Sequence, residues 1–176
     1  MKKTVLLSFL LICSLGISAQ QVAYIYSDSI LMAAPGYIEK QQELTTVHEK
    51  YVQELEMLQK ELSEKFAQLV ASYNAKENET IDDLKARMSP ADVMRLDILL
   101  EEQTAIETKT KSYDNMLNFM YEQDVQPIET RVQQTINAYA VKNKIDMIYI
   151  IEKIQESLAY INEKRNITNE IIKLLQ

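Results

Sequence analysis

The sequence predicts a mainly α protein with a small β body, in which a long antiparallel helical hairpin stands on a short-stranded base that also serves for oligomerisation. Three observations predict it. From about Tyr37 to Val141 the chain has no glycine and only two prolines, Pro90 and Pro127, so the run reads as long helix. A helix-start signal, Ser89-Pro90-Ala91-Asp92, lies near its middle. Short apolar runs rich in β-branched and aromatic residues flank it on both sides.

The apolar residues set the geometry of the arm. Tyr51, Leu55, Leu58, Leu62, Phe66, Leu69 and Tyr73 follow at spacings of 4, 3, 4, 4, 3 and 4, one narrow seam along a helix. The mean step of 3.67 residues is nearer an eleven-residue than a seven-residue repeat, so the helices pair almost straight. Leu96, Leu99, Gln103, Ile106, Thr110, Tyr113, Leu117, Met120, Asp124, Ile128 and Val132 continue a 3/4 spacing in the second half. Polar residues weaken this second seam.

Ser89 can accept from the free amides of a helix start, Pro90 suits the first helical position and Asp92 faces the positive end of the helix dipole. Ser89 is therefore the expected N-cap of the descending helix at the tip. Two arms of about fifty residues, each about 70 Å long, fold back on one another. Thr80-Ile81-Asp82-Asp83 is a second cap-like run, and a frayed tip is expected at about 75–90.

Residues 1–19 have the three parts of a secretory signal: basic Lys2-Lys3, the apolar run Val5 to Ile17, and small residues before an expected cleavage after Ala19. The run is too short to be preferred as a permanent membrane span. Cys13, the one cysteine, would leave with it, and export without disulfides fits a bacterial periplasm. Loss of Lys2 and Lys3 takes the formal charge from −7 to −9. The acidity is spread along the chain with no basic patch, which argues against nucleic acid and against electrostatic docking on anionic lipid.

Residues 20–36 and 142–176 are read as the body and 37–141 as the arm. Val22-Ala23-Tyr24-Ile25-Tyr26 reads as a strand. Ser27-Asp28-Ser29 offers caps for a short helix, Ile30 to Ala33, that Pro35-Gly36 ends. Asp146 to Ile151 is almost continuously apolar, as in a strand buried on both faces, and Ser157 to Ile161 is a further strand candidate. Thr168 is the expected cap of a last helix ending at Leu175. So small a sheet leaves edges open, and association through Val22, Tyr24, Tyr26, Ile148 and Ile150 would bury them.

No catalytic constellation is present, and no enzyme is expected. His48, the single histidine, cannot build a metal site or a triad by itself, and no phosphate loop exists, so neither metal nor cofactor is expected.

With these blocks in order, the chain resembles the Skp/OmpH family of periplasmic chaperones. VAYIYSDSILMAAPGY is similar to that family's first strand and short helix, and QPIETRVQQTINAYAVKNKIDMIYII to its return from arm to body, including Pro127. NITNEIIKLL resembles its D-I-T-x-x-V ending, with Asn166 in place of aspartate. The resemblance implies a homotrimer whose hairpins hang as tentacles around a cavity that holds unfolded outer-membrane proteins without ATP. Familiar members are often strongly basic, so the acidity here weighs against lipid or lipopolysaccharide contact. The alternative is a structural or adaptor coiled coil of the envelope.

Holding without folding needs many weak apolar contacts. Met57 and Phe119 each sit about 100° from the nearest seam residue and are the first candidates for client contact. Val52 and Val70, which flank the seam, are weaker ones. Pro127 removes a helical hydrogen bond and crowds the Gln123 carbonyl, so the descending arm should kink or loosen there, as a hinge or as a fixed bend.

Overall fold

The computed structural model describes residues 20–74 and 79–176. The leader read at residues 1–19, with Cys13 and the cleavage site, lies outside them, as do residues 75–78 of the tip. The described chain divides into two compact units: residues up to Tyr37 with Ile128–Gln176, here the body, and Ile38–Pro127, here the arm.

In the body, β1 (Val22–Ile25) pairs in parallel with β2 (Met147–Ile150), Val22 opposite Met147 and Ile25 opposite Ile150. Asp146 prolongs the ladder. Its N–H donates to the Gln21 carbonyl at 2.8 Å, and its carboxylate accepts the Gln21 N–H at 2.7 Å. On the other edge Asn166 bridges Tyr24, and the Ile167 N–H donates to the Tyr24 carbonyl at 3.0 Å. β1 is therefore a middle strand with both edges occupied. Ser157 to Ile161 is not a strand: β2 is followed by one helical turn, α6 (Ile151–Ile154), then by a 3-10 turn, Gln155–Ser157, and the residues after it are irregular.

Helix α1 (Ser27–Ala33) starts one turn earlier than its Ser and Asp residues suggest. Tyr26 occupies the N-cap position rather than ending the strand, and it supplies no side-chain cap. The first-turn amides find a partner elsewhere in sequence. The Asp28 N–H donates to Glu152 Oε1 at 3.1 Å. Burial opposes ionisation of Glu152, but amide donors from its own backbone and from Asp28 and Ser27 outweigh it and hold its carboxyl below the ordinary range. Gly36, at φ 83°, supplies the left-handed turn that leads from α1 into the next helix.

The last helix, α7 (Thr168–Leu175), corrects a second cap. Thr168 is its first residue, Ile167 is the N-cap, and Thr168 does not cap it. Instead Thr168 Oγ1 accepts the Tyr26 N–H at 2.9 Å, while the Thr168 N–H donates to Asn166 Oδ1 at 3.0 Å. The threonine fastens the last helix to the exit of β1. Asn166 accepts through a side-chain oxygen that aspartate would also offer, so the departure from the family pattern keeps this bond. The apolar faces of α1, α7 and α5 (Gln126–Lys142) close over β1, with Ile25, Ile30, Val132, Ile136, Ile171 and Leu175 in one core.

The arm consists of α2 (Tyr37–Ala71), α3 (Ile81–Lys85), α4 (Pro90–Met120) and the first residues of α5. At 35 residues α2 is about 50 Å long, shorter than the expected arm, because Asn74 takes a left-handed φ of 44° and stops it. Cross-helix contacts run antiparallel. Tyr51 stacks on Tyr113, Lys65 pairs with Glu102 at 2.7 Å, and the Tyr73 hydroxyl donates to Asp92 at 2.6 Å. The seam residues from Tyr51 to Tyr73 are all buried or half-buried.

The expected fraying does not hold for the described tip. Thr80 Oγ1 accepts the Asp83 N–H at 3.2 Å and starts α3, and Ser89 Oγ accepts the Asp92 N–H at 3.2 Å and starts α4. Leu84, Met88 and Leu96 form a small core packed by Phe66, Leu69, Val70 and Tyr73. Arg87 Nη1 donates to the Tyr73 carbonyl at 2.8 Å, which ties the end of α2 to the tip.

Between α4 and α5 one π turn, Tyr121–Val125, widens the backbone, the Gln126 N–H reaching back to the Tyr121 carbonyl. Pro127 explains its place: it has no N–H for the Gln123 carbonyl and its ring would crowd that oxygen, so a wider turn before it relieves the clash. The wider turn also shifts the seam. Val125, 1% exposed, takes the inward place read for Asp124.

Thr168→Val retains the shape but leaves the partly buried Tyr26 N–H without its acceptor. It is expected to cost about 1–3 kcal/mol in urea unfolding, while Asn166→Asp should stay within about 0.5 kcal/mol of the parent protein.

Candidate functional site

An acid-rich coiled pair can offer chemistry only through what its seam leaves outside. Met57 and Phe119 are 60% and 59% exposed. On α4, Met94, Ile98, Ala105, Met116 and Phe119 fall on one stripe, about 115° around the helix from the seam. The stripe runs about 37 Å.

Met57 stands on the same side of the hairpin. A groove beside the seam is lined by Leu58, Glu61 and Lys65 of α2 and by Ala105, Ile106 and Lys109 of α4. Met57 lies next to the α2 wall of this groove, and Ala105 joins its α4 wall to the stripe. Ile98 lines the neighbouring groove with Lys65, Gln68 and Leu69. Val52 is exposed but sits about 140° around α2 from Met57, on the opposite side. Val70 shares the Val52 side and is half-buried against the tip core. Met94, Ile98 and Met116 were missed because attention to residues beside the seam does not reveal a second stripe; a helical-wheel count of non-seam apolar residues finds it.

The body offers a different surface. β2 is paired only through β1, and Met147, Tyr149 and Ile150 are exposed, with Ile148 half-buried. The strand expected to be buried on both faces is thus an exposed edge in the single chain. Among the oligomerisation residues read from sequence, Ile148 and Ile150 lie on this open edge. Tyr24 is 3% exposed inside the chain's own core, Val22 belongs to the occupied middle strand, and Tyr26 begins α1.

Charge is less evenly spread than the sequence suggests. Arg131, Lys142 and Lys173 surround one open groove of about 640 Å³ with Glu170 the one acid, although they are far apart in sequence. Lys142 and Lys173 lie in last turns of α5 and α7, where a cation faces the negative helix end. Among the described residues no group of three or more His, Cys, Asp or Glu is placed to hold a metal ion, and no helix is long and apolar enough to cross a membrane.

With this geometry, a long helical hairpin joined to a body in which the two chain ends share one sheet, the chain belongs to the family described as Outer membrane protein (OmpH-like), whose pattern matches residues 21–175. A solved structure described as an OmpH-like outer membrane chaperone from Caulobacter crescentus is similar at 12% identity, over 91% of this chain and 86% of that one, with a TM-score of 0.43. No curated protein matches the chain.

Two carboxylates in the arm are held below the ordinary range. Glu54 accepts first from Lys109 and then from Tyr113, and Asp92 first from Tyr73 and then from Ser89. A folded pKa below the unfolded one contributes stability above the unfolded value, about 4, and loses it as pH falls through the folded value. Helix melting followed by circular dichroism should therefore be flat from pH 8 to about 5 in this respect and decline below about 4. Glu54→Gln should remove part of that decline.

Proposed function

We propose that this protein is an ATP-independent holdase of the bacterial periplasm, which shields unfolded outer-membrane proteins between the helical hairpins of a homotrimer. The observation that carries the reading is the one-sided apolar stripe of Met94, Ile98, Met116 and Phe119, with Met57 on the same side of the arm. Membership of the OmpH-like family supports it. Methionine side chains adapt to varied partners, and a row of separate weak contacts retains a chain that must later be released. Surrounding acid maintains solubility without adding affinity.

The trimer is supported by the open edge of β2 with its exposed Met147, Tyr149 and Ile150, since a free apolar edge is a template for another strand. Residues 1–19 act as the export signal, and a mass for the periplasmic protein starting at Gln20 tests this. Pro127, with the π turn before it, is a hinge in the descending arm; distances across that turn that stay single-valued with and without client would leave a fixed bend instead. Binding to one defined folded partner is the adaptor alternative.

Light scattering on the mature protein, alone and with an unfolded β-barrel protein diluted from denaturant, tests the reading. The expected result is a trimer that keeps the client in a discrete soluble complex. A monomer or dimer that lets the client aggregate overturns it. Met116→Ser with Phe119→Ser should weaken client retention about tenfold and leave the melting temperature nearly unchanged, whereas Val52→Ser on the opposite side should alter neither.

A further inference from the structure

The seam of the arm is not uniform along its length. From the middle to the tip it contains buried Leu62, Leu96 and Leu99 and ends in the core of Leu84 and Met88. Away from the tip Leu44, Val47, Leu117 and Met120 are each only half-buried, until Val125, 1% exposed, closes the seam at the end of the π turn. That stretch also borders the π turn Tyr121–Val125, where the regular helical ladder is interrupted. Packing and backbone weaken at the same end.

Between the two stretches lies a cluster unlike the rest of the seam. Tyr51 and Tyr113 stack with ring centroids 3.7 Å apart and planes 3° from parallel. The Tyr113 hydroxyl donates to Glu54 Oε2 at 2.6 Å, and Lys109 pairs with Glu54 Oε1. Lys109 Nζ also stands 5.6 Å from the Tyr113 ring centre. Both charged groups reach water, so separating the helices here gives up the ring stack, the ion pair and the tyrosine–carboxylate hydrogen bond together in exchange for separate hydration. Sliding them would set the Glu54 carboxylate against apolar seam residues. Directional contacts of this kind have one good geometry, whereas the apolar contacts on either side tolerate small shifts.

We propose that Tyr51, Glu54, Lys109 and Tyr113 form a stop in the hairpin: the helices separate and reclose in the stretch away from the tip, residues 38–50 against 114–120, and remain closed from the cluster to the tip. Separation exposes Leu44, Val47, Leu117 and Met120 as a transient apolar surface continuous with Met116 and Phe119. An unfolded, apolar-rich polypeptide is the partner that such a surface fits. This second part rests on the chaperone reading; the stop itself does not.

Spin-label distances on the full chain with Cys13→Ser test both parts. One pair, His48→Cys with Asn118→Cys, reports on the stretch away from the tip, and another, Glu61→Cys with Ala105→Cys, on the tip side; all four positions are exposed. The expected result is a distance distribution at least twice as wide for the first pair as for the second. Glu54→Gln with Tyr113→Phe should widen the second to match the first, and exchanging the charges by Glu54→Lys with Lys109→Glu should narrow it again relative to that variant. Equal widths in the parent protein, or a tip-side distribution indifferent to the double substitution, overturn the stop. Should the double variant lose helix content, Tyr113→Phe alone is used, with the same two outcomes. Adding an unfolded β-barrel protein should lengthen the first distance and not the second. An unchanged first distance in a complex that forms overturns the client part alone, while absence of any complex counts against the chaperone reading.

Discussion

Among the described residues the arm depends on a single apolar seam between two long helices, with no sheet or third layer behind it. A seam one residue wide buries little area per turn, and most of each helix must face water. Acidic and amide side chains on those faces therefore follow from the architecture rather than from any chemistry. The same thinness makes local fasteners matter. Tyr73 with Asp92 and Ser89 at the tip, and Tyr113 with Glu54 and Lys109 in the middle, are polar bonds laid across a contact that apolar packing alone would leave free to shift.

The body solves a related problem with another device. Among the described residues its sheet has two strands, too few to be stable without cover. β1 compensates by being bonded on both edges, to β2 on one side and to the Asn166 segment on the other, while Ile30 and Ile171 close its faces. Thr168 and Glu152 then give their oxygens to the amides of Tyr26 and Asp28, which the local sequence leaves without partners. The cost of this arrangement is a β2 edge left uncovered in the single chain.

A stripe of exposed methionine, isoleucine and phenylalanine on one helix side differs in kind from a site. It has no fixed geometry and no perturbed group aimed at a reacting atom. It is long, weakly apolar and one-sided, which suits the proposed function, since a chain without structure of its own would find many registers along it. Membership of the OmpH-like family supports a chaperone role, and this surface is what the proposed binding of unfolded protein rests on.

Spacing and composition alone determined the helical hairpin, its seam from Tyr51 to Tyr73, the helix starts at Thr80 and Ser89 and the strand near each chain end. These are local or periodic properties, written in residue order. Only the tertiary structure decided which side of the hairpin each exposed residue takes, so that Met57 joins Phe119 while Val52 and Val70 do not. It also decided that Thr168 serves Tyr26 instead of its own helix, that Ser157 to Ile161 forms no strand and that Arg131, Lys142 and Lys173 line one groove. In each case the partner lies far away in the chain or the choice turns on competition for one hydrogen bond. Such outcomes depend on where the packed backbone brings donors and acceptors together, which residue order does not state.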